Sequence, residues 1–398
     1  MTRSSSLSGT VGAQTEKALH VLTLTPFYPT STDDAQGCFI AEPLREIHKM
    51  GVRNSVVAVQ PFYRAHAATN EKAYPAKQSR YISLPGGFGL PTAGAFLFAS
   101  LVSETRRLHR VNPIDVIHAH TALPCGHAAA LLSRELHIPF VVSVHGLDAY
   151  FTEQVAGHSG RWCKRVSKFV YSSTACVICI SEKVRQQVLE GASGQIKTEV
   201  VYNGVDTEQF CPCSSDEEAK TILSVGNLIP IKGHELLIRA FAAVHNRFPD
   251  FFCEFIGDGP ERTYLSALAA DLNVGNKVHF LGRRSRLEVA EAMRRCALFA
   301  LPSRYEGLGC VYLEAMAMGK ATIGCRGQGI EEIIEHGANG WLIEPNNQQE
   351  LADALLELMQ NISLRSEIGD AARRTILREF TLAHQAEHLV RIYRECAR

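Results

Sequence analysis

The chain has 398 residues, 46% apolar and 21% charged, with 41 Lys and Arg against 41 Asp and Glu. That length exceeds what one hydrophobic core usually supports, so two domains are expected in an ordinary globular protein. No apolar run approaches the roughly 20 residues that span a bilayer, and no apolar signal segment follows the N-terminus, so neither a membrane-crossing helix nor a secretory leader is read.

Residues 1–17 read as a disordered tail. Strand-like apolar runs then alternate with amphipathic stretches, the pattern of parallel sheets covered by helices. A first series runs Leu19–Leu24, Val56–Val59, Val116–Ala119, Phe140–Val144, Ala175–Ile180 and Glu199–Tyr202. A second runs Thr221–Val225, Phe252–Ile256, Val278–Leu281, Leu298–Leu301 and Ala321–Gly324. Helices fill the gaps, among them His234–Phe248 with Leu236, Leu237, Ala240, Phe241 and Val244 on one face. The tract 206–219, DTEQFCPCSSDEEA, breaks the pattern and reads as a linker between domains 18–205 and 220–380. Leu382–Cys396 has helical spacing, and the segment 381–398 is expected to pack back on the first domain.

Charge and cysteine usage add two expectations. Residues 1–205 hold 20 cations against 14 anions, leaving 21 against 27 in the remainder. A mildly basic first half suits an anionic membrane surface or a phosphorylated acceptor and is too weak for nucleic acid. The twelve cysteines are scattered, and Cys176-Val-Ile-Cys179 lies in a strand-like run. Reduced thiols in a cytoplasmic protein are expected.

Open parallel sheets bind ligands beyond the carboxyl ends of their strands. His118 and His120 end one strand and His145-Gly146-Leu147-Asp148 follows another. Gly226-Asn227 follows the first strand of the second series, with Lys232-Gly233 opening its helix. A lysine there conflicts with the helix dipole unless an anion is bound. The tract 303–334 is the most informative: Glu306 sits in the turn Glu306-Gly307-Leu308-Gly309, and Glu314 lies eight positions on, within the helix-favouring run Val311–Met318. Such a turn aims unpaired N–H groups beyond the helix start. A carboxylate buried in that apolar run needs a partner. The two glutamates suit sugar hydroxyls and a ribose.

Taken with Thr25–Pro29, Gly37–Ile40, Asn203–Asp206, Gly257–Pro260 and Gly327–Ile334, these positions resemble the retaining GT-B glycosyltransferases of family four over residues 18–396. Segments 224–237 and 324–340 look most like enzymes of bacterial exopolysaccharide or teichuronic acid assembly. The resemblance implies two Rossmann-like α/β domains facing across a cleft. It implies transfer from a UDP- or GDP-sugar to a glycan or lipid-linked acceptor hydroxyl, with the nucleotide-sugar as substrate and no cofactor. Glu306 would bind donor-sugar hydroxyls beside the amides of Gly307, Leu308 and Gly309. Glu314 would hold the ribose, Lys232 the diphosphate, and His145 would line the reaction centre. Gly37 would let the first loop approach diphosphate or acceptor, and Gly226 and Asn227 would lie on the donor. Many members of that family have Gly-Arg-Leu where this chain reads Gly226-Asn227-Leu228, and Arg304 or Arg326 is the candidate replacement.

No Asp-x-Asp motif occurs, and no third ligand accompanies His118 and His120, so metal is not expected. Asp148 is open between pairing a sugar hydroxyl and capping a helix. Arg161, Lys164, Arg165 and Lys168 beside Trp162 suit the acceptor side or the inner face of an anionic membrane; Phe96, Leu97, Phe98 and Leu101 ahead of Arg106, Arg107 and Arg110 form either a second such stretch or a core helix with a solvated basic end. Two rival readings remain, a nucleotide-sugar epimerase of the same fold and a non-catalytic carbohydrate-binding protein.

Overall fold

The computed structural model describes residues 18–64, 68–85, 87–150, 155, 157–192, 194–212 and 220–398. The tail expected over 1–17 and the stretch 213–219 of the expected linker lie outside the described residues.

Two sheets, parallel throughout, form the chain. The first contains β1 (His20–Thr25), β2 (Arg53–Pro61), β3 (Ala76–Tyr81), β4 (Val116–His120), β5 (Phe140–Val144), β6 (Cys176–Cys179) and β7 (Thr198–Val200), in the order β3-β2-β1-β4-β5-β6-β7. The second contains β8 (Thr221–Val225), β9 (Phe252–Ile256), β10 (Val278–Gly282), β11 (Leu298–Ala300), β12 (Ala321–Cys325) and β13 (Trp341–Ile343), in the order β10-β9-β8-β11-β12-β13. Strand order reverses between β1 and β4, and again between β8 and β11, so each sheet has a switch point where loops splay apart. The central strands β4 and β5 are buried along their whole length, as near-continuous apolar sequence requires of a sheet covered on both faces.

Helices α1 (Cys38–Lys49), α2 (Leu90–Val111), α3 (His127–Leu136), α4 (Gly157–Ser173) and α5 (Glu182–Gly191) cover the first sheet. The second carries α6 (His234–Val244), α7 (Arg262–Asp271), α8 (Arg286–Arg295), α9 (Cys310–Ala317), α10 (Gln348–Gln360) and α11 (Ile362–Glu379). The last helix, α12 (Leu382–Cys396), returns to the first domain: its Leu389, Val390, Ile392 and Tyr393 share a core with Leu44 and Ile47 of α1.

Two strands differ from expectation. β3 reads AKQSRY and sits at a sheet edge, where half-exposed positions take polar residues and leave no apolar run. β13 has three residues. The helix expected to reach Phe248 ends at Val244 and tightens into a 3₁₀ turn, His245–Arg247. Of the expected linker, 206–212 is packed: Phe210 is fully buried. The adjacent crossover is pinned by Val205 N to Phe380 O at 3.0 Å and Gly204 N to Gln385 Oε1 at 2.8 Å. The eleven described cysteines are free.

Candidate active site

The carboxyl ends of the two sheets enclose a cleft of about 360 Å³. From the second domain, Gly226, Asn227, Lys232, Glu306, Leu308, Gly309 and Glu314 line it; from the first, Asp33, Ala35, Cys38, Phe39 and His145. A 3₁₀ turn, Pro230–Lys232, precedes α6 and delivers the lysine. Lys232 Nζ donates to Glu306 Oε2 at 2.5 Å, with the two side chains 20% and 14% exposed. The lysine thus stands before the helix cap, where a 3₁₀ turn and a carboxylate offset the unfavourable dipole.

Glu306 lies in the turn that opens α9. Gly309 caps this helix in the left-handed region (φ 82°) with no side-chain cap, so the first amides face the cleft, where Cys310 and Val311 are lining residues. The turn is braced from the first domain. Ser181 Oγ donates to Gly307 O at 2.5 Å, and Lys183 Nζ donates to Gln328 Oε1 at 3.0 Å, which accepts from Glu306 N at 2.9 Å. Gly307 itself faces the other lobe rather than the cavity: a Cβ there would stand 2.8 Å from His145 O.

Glu314 is 2% exposed, and its expected need for a partner is met by Arg286 of α8, whose Nη1 donates to Oε1. The same guanidinium pairs with Glu42 of α1 at 2.8 Å. Burial raises the Glu42 carboxyl to about 6 despite the guanidinium beside it.

His145 Nε2 contacts His120 Nδ1 at 3.1 Å. Behind them, His118 contacts Tyr393 Oη and Ser143 Oγ, each at 2.7 Å, which explains the two histidines of β4 as hydrogen-bonded core residues. Burial lowers His145 to about 4 and His118 to about 3, so both are neutral near pH 7.

Three sequence expectations need correction. Asp148 neither lines the cleft nor caps a helix. It is buried beneath its own turn, where Oδ1 accepts from His145 N at 2.8 Å, and burial raises its carboxyl to about 7. Gly37 does not line the cleft: its φ is 70°, and the space for a Cβ is filled by the Phe27 carbonyl 2.5 Å away, so glycine serves the loop's own packing. Arg304 and Arg326 do not replace the guanidinium missing at Asn227. Arg304 Nη2 donates to Pro230 O at 2.7 Å, and Arg326 pairs with Glu344 at 3.4 Å. The arginines that do line the cleft are Arg283, Arg284 and Arg286, which sequence reasoning missed. Their position just beyond β10, at a strand's carboxyl end, was the available signal. Arg161, Lys164 and Arg165 are exposed on α4, with Lys168 half-buried, and none lines the cleft.

Comparison with known proteins agrees with this geometry. The family Glycosyltransferase Family 4 matches residues 39–209, and Glycosyl transferases group 1 matches residues 206–375. An uncharacterized glycosyltransferase of Methanocaldococcus jannaschii is 35% identical over 65% of this chain and 69% of that protein. A Bacillus subtilis protein named for teichuronic acid biosynthesis is 26% identical over 93% of this chain and 97% of its own. Among solved structures, Thermosynechococcus elongatus sucrose-phosphate synthase superposes with a TM-score of 0.74 at 18% identity, covering 95% and 98% of the two chains. Anabaena HepE, solved with UDP-glucose, gives 0.72 at 21% identity, covering 95% and 100%. The fold is therefore GT-B, and the chain belongs to the glycosyltransferases of group 1 and family 4.

Proposed function

We propose that this protein moves a sugar from a nucleoside diphosphate sugar, UDP- or GDP-linked, to an acceptor hydroxyl, with the anomeric configuration retained. The observation that carries the reading is the meeting of Lys232, Glu306, Glu314 and the α9 amides in one cleft. Glu306 accepts hydrogen bonds from sugar hydroxyls and Glu314 from the ribose. Lys232 and the α9 amides take up charge on the departing diphosphate. A neutral His145 beside the sugar can hydrogen-bond without adding positive charge at C1. The acceptor oxygen bonds to C1 on the face from which the phosphate oxygen leaves, and that oxygen takes the acceptor proton. Because Lys232 and the amides offset the diphosphate, metal is not required on this reading, and chelation leaves turnover unchanged.

A lipid-linked or oligosaccharide intermediate of surface polysaccharide synthesis is the proposed acceptor, supported by the teichuronic acid relative. No helix among the described residues is long and apolar enough to cross a membrane. Yet Ile82, Leu84 and Phe88, in the loop joining β3 to α2, are 63%, 66% and 73% exposed, and Trp162 projects from the basic face of α4. An apolar loop and a basic helix face bearing Trp162 suit contact with an anionic membrane surface, and the proposed location is the cytoplasm at the inner face of the membrane. Flotation with anionic liposomes tests this: binding that survives neutralising Arg161, Lys164, Arg165 and Lys168 rejects it.

The activity test is a thermal-shift screen over uridine and guanosine diphosphate sugars, followed by turnover with and without acceptor. Glu306→Ala and Lys232→Ala should each lose most turnover; near wild-type rates in both overturn the assignment. Donor conversion without acceptor would instead indicate an epimerase. Donor binding without turnover would indicate a carbohydrate-binding protein.

A further inference from the structure

Arg286 is the first residue of α8, fixed there by a capping box between Ser285 and Glu288. It is buried, and each edge of its guanidinium is occupied. Nη1 donates to Glu314 Oε1, while Nε and Nη2 donate to Glu42 Oε1 at 3.1 and 2.8 Å and Nη2 to Glu42 Oε2 at 3.1 Å. Glu42 belongs to the first domain and Glu314 to the second, so one side chain ties together carboxylates from both lobes. The guanidinium lies over the Phe210 ring in the crossover, 4.7 Å from its centroid. Neighbouring contacts reinforce the closure: Arg286 N donates to Asp34 Oδ1 at 3.0 Å, and Arg283 pairs with Asp33 at 2.9 Å.

A second observation points to a ligand. Glu314 Oε2 is buried without a hydrogen-bond partner, on a side chain that lines the cleft. A buried carboxylate oxygen lacking a donor is costly, and a ligand hydroxyl would satisfy it.

We propose that Arg286 is a positioning residue: held by Glu42 from the opposite lobe, it fixes Glu314 with one oxygen occupied and the other offered to the donor ribose. Ribose recognition then depends on the two lobes being together. The inference rests on the reading that Glu314 faces the ribose. The rigid planar fork of arginine makes the arrangement specific. Without Glu42, the guanidinium is free to engage both oxygens of Glu314, and a ribose must compete with it. A lysine at 286 has no second edge with which to bridge the two carboxylates.

Calorimetric titration of the full chain with UDP and GDP, each against its 2′-deoxy form, tests this. Wild type should prefer the ribo form by about ten- to hundredfold, the value of a hydrogen bond to a charged group. Glu42→Gln and Arg286→Lys should each reduce that preference to about twofold while leaving affinity for the deoxy form unchanged, an outcome that general damage to the cleft would not give. If Arg286→Lys fails to fold, Glu42→Gln decides alone. A preserved preference in Glu42→Gln, with Glu314→Gln abolishing it, overturns the role of Arg286 and keeps the ribose reading. A wild type without preference, or one that Glu314→Gln leaves intact, overturns the ribose reading itself. Equal weakening of both forms reduces Arg286 to a domain tie and overturns the proposal.

Discussion

Glu306→Gln should move nucleotide binding and turnover in opposite directions. In the cleft the carboxylate holds Lys232 at 2.5 Å, in a pair whose members are 14% and 20% exposed. A diphosphate must take the lysine away from it. A hydrogen bond to a charged group is worth roughly 1.5–3 kcal/mol, and about half remains when the acceptor becomes a neutral amide. The variant therefore lowers the competition by about 1 kcal/mol, and free nucleoside diphosphate should bind roughly fivefold tighter. The same exchange deprives donor-sugar hydroxyls of an ionised acceptor, so kcat/KM should fall about ten- to hundredfold. Calorimetry with UDP and GDP, paired with turnover measurements, reads both effects. Diphosphate affinity that is unchanged or weaker in Glu306→Gln refutes the claim that the two compete for Lys232.

Asp148→Asn tests a pH dependence. The folded carboxyl titrates near 7 against 3.8 normally, so the folded state holds a proton that the unfolded chain has lost, and this contribution to stability disappears as pH rises from about 4 to 7. The melting-temperature difference between variant and wild type should be larger and positive at pH 8 than at pH 5; equal differences refute it. Gly307→Ala would put a Cβ 2.8 Å from His145 O across the cleft, so kcat should drop at least about tenfold while the melting temperature changes little. A wild-type kcat would show that the lobes need not approach so closely. Asn227→Arg adds a guanidinium to the cleft lining, and diphosphate affinity by calorimetry should rise by about three- to tenfold; no gain would mean that Arg283 and Arg284 already serve the diphosphate.

Alternating apolar runs were enough to find eleven of the thirteen strands among the described residues, because strands of a covered parallel sheet are apolar on both faces. β3 escaped because an edge strand can read AKQSRY, and β13 because three residues carry no period. The order and spacing of Lys232, Glu306, Glu314 and His145 brought them to one cleft. Arg286 was invisible for a different reason. Its local sequence, Ser-Arg-Leu-Glu, is an ordinary capped helix start, and its partners lie 244 and 28 positions away. A buried carboxylate demands a cation, but nothing in sequence says which. Asp148 failed similarly: its proximity to His145 was legible, while its burial beneath the turn was a matter of packing.

The carboxylates of Glu306 and Glu314, which line the cleft, are each tied to a cation, Glu306 to Lys232 and Glu314 to Arg286. Removing one member of such a pair strands the other's charge, whereas exchanging it for a ligand group does not. The cleft is thus self-neutralised, and on the proposed reading the donor would bind by trading partners. Lys232→Ala should consequently lose stability as well as activity, by about 1–3 kcal/mol, through an uncompensated Glu306. Adding Glu306→Ala removes the stranded charge, so the double variant should melt above Lys232→Ala while remaining inactive. Equal melting temperatures for single and double variants would mean that the pair contributes nothing to the fold, and that mutual neutralisation is not what stabilises the cleft.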